Sequence, residues 1–190
     1  MIDKKKIEHA IAQIIEAIGE DVQRQGLCDT PKRVASMYSE IFSGTDDDPQ
    51  DYVKVFNEMG PSNEIITVCD IPFYSVCEHH ILPFFGKVHI AYIPKDGKIL
   101  GLSKFSRIID CFAKRLQIQE RLTSQIADFL YEQLDPDGLS VIMEAEHLCM
   151  TMRGVKSFGS KTRSIALRGV FKNDNEKRSE MMDLIYGGRN

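Results

Sequence analysis

From Glu64 onward the apolar residues of this chain change their spacing, and that change narrows the fold more than any other feature. Before it, the period is helical. Ile7, Ile11, Ile14, Ile15 and Ile18 form one stripe between Lys4 and Gly19, and Gly19 can end the helix. A second helix is expected with Thr30 as its N-cap and Pro31 at its first position. It would turn Val34, Met37, Tyr38, Ile41 and Phe42 inward and close at Gly44. After the acidic turn Thr45–Pro49 the spacing becomes that of strands, over Glu64–Phe73 and Lys87–Tyr92. Two helical stripes follow, Phe105, Ile108, Ile109, Phe112 and then Leu122, Ile126, Phe129, Leu130, Leu134. The turn Pro136-Asp137-Gly138 introduces two more strands, Leu139–Thr151 and Ser164–Phe171, and a helix over Glu176–Tyr186 ends the pattern. This order predicts an α+β fold: a four-stranded antiparallel sheet with helices on one face and a helical N-terminal extension. The expected division is a helical region, residues 1–49, and a main domain, residues 50–190.

Composition excludes several classes. A chain of 190 residues holds one domain with a substantial core. A net charge of −4 argues against a general nucleic-acid-binding surface but leaves room for a local basic pocket. Met1-Ile2-Asp3-Lys4-Lys5-Lys6 lacks the apolar core of a secretion signal, and no apolar run approaches a membrane span. A cytoplasmic location with no membrane partner is therefore expected. Five scattered cysteines, an odd number, do not suggest a disulfide framework.

Cys77-Glu78-His79-His80 is the chemical centre of the sequence. A thiolate and an imidazole three residues apart can meet one tetrahedral ion from a tight loop. Taken alone, Cys-x-x-His also describes a buried thiol beside a surface histidine. A third ligand would be His147 or Cys149, which share one face if the strand Leu139–Thr151 runs straight through them. Three protein ligands leave a fourth position for water, the arrangement of catalytic zinc. Adjacent histidines point opposite ways in an extended segment, so one of His79 and His80 stays free to move protons.

Four separated motifs occur in order: Ser75-Val76-Cys77-Glu78-His79-His80, Gly101-Leu102-Ser103-Lys104, Gln117 to Thr123, and His147-Leu148-Cys149 with Arg153-Gly154. Together they resemble GTP cyclohydrolase I, from about Thr30 to the last helix. The resemblance implies Zn2+ held by Cys77, His80 and Cys149, with water activated for attack on C8 of the guanine of GTP. His79 would protonate the opening imidazole ring, and His147 and Ser103 would move protons around the ribose. The products would be formate and 7,8-dihydroneopterin triphosphate. Glu120 with Gln119 resembles the guanine reader; a carboxylate can accept from both N1–H and the exocyclic amine, a donor pair adenine lacks. By position alone, Glu120 reads first as a solvated acid at a helix start, and the motif around it reverses that preference. Lys104, Arg107, Arg153 and Arg33 resemble the triphosphate-binding set, with Ser103 expected to cap the helix carrying the first two. The resemblance further implies the tunnelling fold (T-fold) and a homodecamer with active sites at subunit interfaces. Cys28, Cys69 and Cys111 match no metal pattern and are expected to be buried small hydrophobes. Two other classes fit parts of the pattern. A deazapurine nitrile reductase of the same fold would use a cysteine nucleophile without catalytic zinc. A non-enzymatic zinc-stabilised module would need a fourth protein ligand.

Overall fold

The computed structural model describes residues 1–57 and 64–187. Helices α1 (Lys4–Ala17) and α2 (Thr30–Ile41) pack on each other at the N-terminus. Asp29, one residue earlier than expected, is the N-cap of α2, so Thr30 is already helical; Pro31 sits in the first turn as predicted. The helix stops at Ile41, and a short 3-10 turn follows at Ser43–Thr45. A small strand β1 (Val55–Asn57) precedes the main hairpin, β2 (Ile66–Cys77) and β3 (Leu82–Ile93). Strand β4 (Lys98–Leu100) returns to pair with β1 and leads into helix α3 (Leu102–Ala113). A two-residue strand, β5 (Leu116–Gln117), separates α3 from helix α4 (Gln119–Leu134). Strand β6 (Gly138–His147), a single helical turn α5 (Leu148–Thr151) and strand β7 (Thr162–Gly169) follow. The turn α6 (Val170–Asn173) and helix α7 (Asn175–Tyr186) complete the described chain. No helix among the described residues is long and apolar enough to cross a membrane.

The main sheet has the order β5-β2-β3-β6-β7. Four of its strands are antiparallel neighbours, and β5 adds a short parallel rung at Val76 and Cys77. The sheet therefore has five strands where the sequence pattern suggested four. Two residues carry too little periodicity to be read as a strand.

Helices cover both faces, not one. On the first, Ile108 and Ile109 of α3 and Leu122, Ile126 and Leu130 of α4 bury Phe73, Val88, Ile90, Val141 and Met143. On the second, Met181 and Ile185 of α7, with Phe171, cover Ala91, Ile93 and Ile142. The alternation of β3 explains both sets, because Ile90 and Tyr92 point one way while Ala91 and Ile93 point the other. Val88, Ile90 and Tyr92 made one face plain, whereas the second face shows only the small Ala91 within the expected strand, and Ile93 lies just past its expected end.

Strands β2 and β3 run longer than their apolar pattern. A bulge between Val68 and Ile71, with Asp70 at φ 59°, resets the alternation of β2. Gly86 breaks the apolar pattern of β3 without breaking the strand, and the reason is steric: a Cβ there would collide with the backbone of Glu144 on β6. Of the three cysteines expected in the interior, Cys111 is buried and Cys69 partly so, but Cys28 is exposed.

Candidate active site

The residues Cys77 to Ile81 close the β2–β3 hairpin. The Ile81 amide donates to the Cys77 carbonyl at 2.9 Å, making one unextended helical turn. Ile81 takes a left-handed φ of 54°, a costly choice for a β-branched residue. Two anchors hold the turn to the start of α4. The Glu78 amide donates to the Gln117 carbonyl at 3.0 Å, and the Glu78 carboxylate pairs with Arg121. Arg121 also donates from Nε to Gln117 Oε1 at 3.0 Å. The Arg121 hydrogen bond holds the Glu78 carboxyl below its usual range. Glu78, which had no chemical role in the sequence, is thus a strut for the residues around it.

Strand β6 does not continue through Cys149 as expected. It ends at His147, and Leu148–Thr151 forms the turn α5. The ladder explains the stop: β7 pairs with β6 only as far as Ala145, and β3 only as far as His147. Leu148, Cys149 and Met150 are also poor at alternating, and without a partner strand their backbone closes on itself. His147 and Cys149 therefore do not share a strand face. The turn instead carries Cys149 toward the hairpin.

The ligand atoms of Cys77, His80 and Cys149 all lie within 4.8 Å of one another. A tetrahedral ion with bonds of about 2.0–2.3 Å needs ligand separations of roughly 3.5–3.8 Å, a closure of about one ångström. Cys77 is buried and Cys149 half-buried. Burial first, and then the facing Cys77 sulfur, push the Cys149 thiol up from its ordinary pKa. Two thiols and an imidazole converging in this way suit a borderline-soft divalent ion such as zinc. His79 is not in the group; its Nδ1 lies 3.8 Å from Cys77 Sγ and its side chain is mostly exposed.

His147 stands beside this cluster. Its ring stacks on Phe84 with centroids 4.7 Å apart and planes 2° from parallel. Its Nε2 lies 2.8 Å from Gln119 Oε1. Burial lowers its pKa, and the nearby Glu120 carboxylate opposes that shift. Glu120 is exposed in the first turn of α4, next to the fully buried Gln119. Arg153, on the exposed loop after α5, is close enough for its charge to act on Cys149.

The remaining expected residues lie elsewhere. The N-cap of α3 is Gly101, and Ser103 falls inside the first turn without a capping hydrogen bond. Ser103 and Arg107 are exposed on the side of α3 opposite its buried Phe105, Ile108 and Phe112. The far end of α3 is the one near the hairpin, where Ser75 donates to the Ala113 carbonyl at 2.7 Å. Lys104 is nine residues back, roughly 13 Å along the axis. Arg33 is on α2, paired with Asp29 at 3.3 Å. Within one chain the structure therefore gathers Cys77, His79, His80, His147, Cys149, Glu120 and Arg153, and leaves Ser103, Lys104, Arg107 and Arg33 outside that group. Missed in the sequence were the supports: Phe84, Arg121, Thr123 and Ser164. Only the positions of Arg121 and Thr123 within a recognised motif could have pointed to any of them.

Known proteins resemble this chain over nearly its whole length. Residues 7–186 match the family GTP cyclohydrolase I. The GTP cyclohydrolase 1 of Caldanaerobacter subterraneus subsp. tengcongensis is 58% identical over 189 residues, covering 100% of both chains. That of Clostridioides difficile is 56% identical over 184 residues, 97% of each chain. That of Bacillus subtilis is 54% identical over 185 residues, 97% of this chain and 96% of the relative. Identity of this depth over the whole length, with the cysteine–histidine cluster assembled, leads to one conclusion: the chain belongs to the GTP cyclohydrolase I family.

Proposed function

We propose that this chain hydrolyses GTP and rearranges it to 7,8-dihydroneopterin triphosphate, with release of formate, as the first step of folate or pterin synthesis. The observation that carries the reading is the convergence of Cys77, His80 and Cys149 beside His79, His147 and Glu120. Zinc held by those three residues would supply a water acidified to a pKa of about 7, hence hydroxide at neutral pH. Exposed and unligated, His79 is placed to hand a proton to the imidazole nitrogen of the guanine as its ring opens. His147, with Ser103, moves protons around the ribose. Glu120 accepts from guanine N1–H and the exocyclic amine. Lys104, Arg107, Arg153 and Arg33 hold the triphosphate, the last three through a planar fork suited to phosphate oxygens.

The separation of Ser103, Lys104 and Arg107 from the cluster supports an active site completed by a neighbouring copy, in the tunnelling fold. The outer edge of β7 and the short β5 are the two ends of the sheet, where sheets of adjacent copies can join. The assembly we infer is a homodecamer, with a cytoplasmic location and residues 1–49 as a helical region distinct from the main domain.

The activity is tested directly. Zinc-loaded protein incubated with GTP and then oxidised should yield pterin fluorescence and one formate per GTP; absence of both would end this reading. Glu120→Ala should keep its zinc while kcat/KM for GTP falls about 10²–10⁴-fold, the loss of two hydrogen bonds to a charged acceptor. A Glu120→Ala protein as active as the parent would remove Glu120 from the site.

A further inference from the structure

The geometry points to Gln119 as the positioning residue of His147, fixing the ring with hydrogen on Nε2 so that Nδ1 is the nitrogen that takes or gives a proton. The inference rests on the reading of His147 as a proton-transfer group, and it gives Gln119 a part different from contact with guanine.

The hydrogens can be placed one after another by elimination. A backbone carbonyl only accepts. Thr123 Oγ1 lies 2.7 Å from the Gln119 carbonyl, so the Thr123 hydroxyl spends its hydrogen there. Ser164 Oγ lies 2.6 Å from Thr123 Oγ1, and Thr123 has no second hydrogen, so Ser164 donates to Thr123. Ser164 can then only accept from the Gln119 side-chain atom 3.0 Å away. That same atom lies 3.2 Å from the Met143 carbonyl and 3.1 Å from the Thr162 carbonyl. With three acceptors around it, it must be the amide nitrogen. The other end of the amide is therefore the oxygen, which only accepts, and His147 Nε2 at 2.8 Å must carry hydrogen.

Order is enforced twice over, once by the two carbonyls and once by the Ser164–Thr123 relay. Gln119 and Thr123 are almost wholly buried, so water does not compete for these bonds. Phe84 fixes the ring plane from one side. No described protein group is hydrogen-bonded to His147 Nδ1. A histidine held in one tautomer presents one lone pair to its reactant, and the wrong tautomer presents an N–H in the same place. The side chain of Gln119, with both its polar atoms engaged inward, is spent on this task.

Three measurements on the zinc-loaded enzyme test it. Gln119→Met keeps the length and loses the acceptor. It should lower kcat about 10–100-fold, the range for groups that orient a ligand or catalytic ring. KM for GTP should stay within about twofold, and zinc content and the preference for GTP over inosine triphosphate should be unchanged. A guanine-reading Gln119 would show the opposite, a raised KM and a collapsed preference, and would overturn the assignment. Ser164→Ala should lower kcat a few-fold and Ser164→Thr should restore it; equal rates in all three would overturn the relay. The wild-type enzyme gives a third readout independent of folding. Solid-state 15N spectra of histidine-labelled protein at mildly alkaline pH, with His147→Asn to identify the ring, should show Nε2 protonated and Nδ1 bare. The reverse tautomer would refute the proposal. A wild-type enzyme that forms no pterin at all would instead refute the activity, which the tautomer measurement does not depend on.

Discussion

Cys149→Ser is expected to lose both its zinc and its activity, the latter by on the order of 10³-fold or more, since hydroxide is no longer supplied near neutral pH. Three side chains converge on the metal position, and the two thiols face each other in a partly buried setting. A serine hydroxyl is a hard, protonated donor at this pH and a poor substitute for thiolate toward zinc. Two ligands then remain, too few to hold a divalent ion against exchange. Metal analysis of the purified variant and the pterin fluorescence assay provide the two readouts. His79→Ala is the contrasting variant. It should retain zinc and lose turnover, because His79 lies outside the ligand group although its ring reaches within 3.8 Å of Cys77 Sγ. Loss of zinc in His79→Ala would exchange the parts given to the two adjacent histidines.

Two inactive variants should restore each other when mixed. Cys149→Ser damages the metal half of the site, and Lys104→Met damages the triphosphate half, which α3 carries away from the cluster on its exposed side. If each site takes its metal half from one copy and its cations from another, random 1:1 co-assembly makes about one site in four intact. Activity near a quarter of wild type is therefore expected after dissociation and reassembly, and essentially none from either variant alone. No recovery, in oligomers shown by mass to contain both variants, would place the whole site within single chains. Sites within single chains would also leave the exposed position of Ser103 and Arg107 without a purpose.

The sequence was informative where chemistry demands particular atoms and uninformative where packing could be met in several ways. Cys77 and His80 were legible as candidate ligands because few side chains bind zinc, and the family resemblance chose Cys149 over His147 as the third; the structure brings these three together. The path by which Cys149 arrives was not: the strand expected through Thr151 stops at His147, since the termination depends on where β3 and β7 run out of residues to pair. That is information about two other segments. The same holds for β5, whose two residues are a strand only because β2 lies alongside. Helices α3 and α4 were readable from their apolar stripes because each buries one face against a large layer. The second covered face of the sheet escaped notice since α7 contributes only two fully buried residues to it, Met181 and Ile185, while Met182 and Tyr186 are partly buried there. Ser103 was mistaken for a cap because serine favours that place in general, whereas here the chain turns into the helix at Gly101. Gln119 was legible as part of a motif but not in its orientation, which is set by carbonyls of β6 and by the first residue of β7.

Gly86 carries no side chain, yet it governs where His147 points. It pairs with Ala145, two rungs from the pair of Phe84 with His147. Its missing side chain is what lets β3 and β6 approach at that rung. A side chain there would push the strands apart or shift them by one residue, and a one-residue shift inverts every side chain beyond it. His147 would then leave Gln119 and face the opposite side of the sheet. The alignment of His147 is thus held by an absence of atoms, and a single added methyl two rungs away would act as a misalignment of the whole edge that carries it.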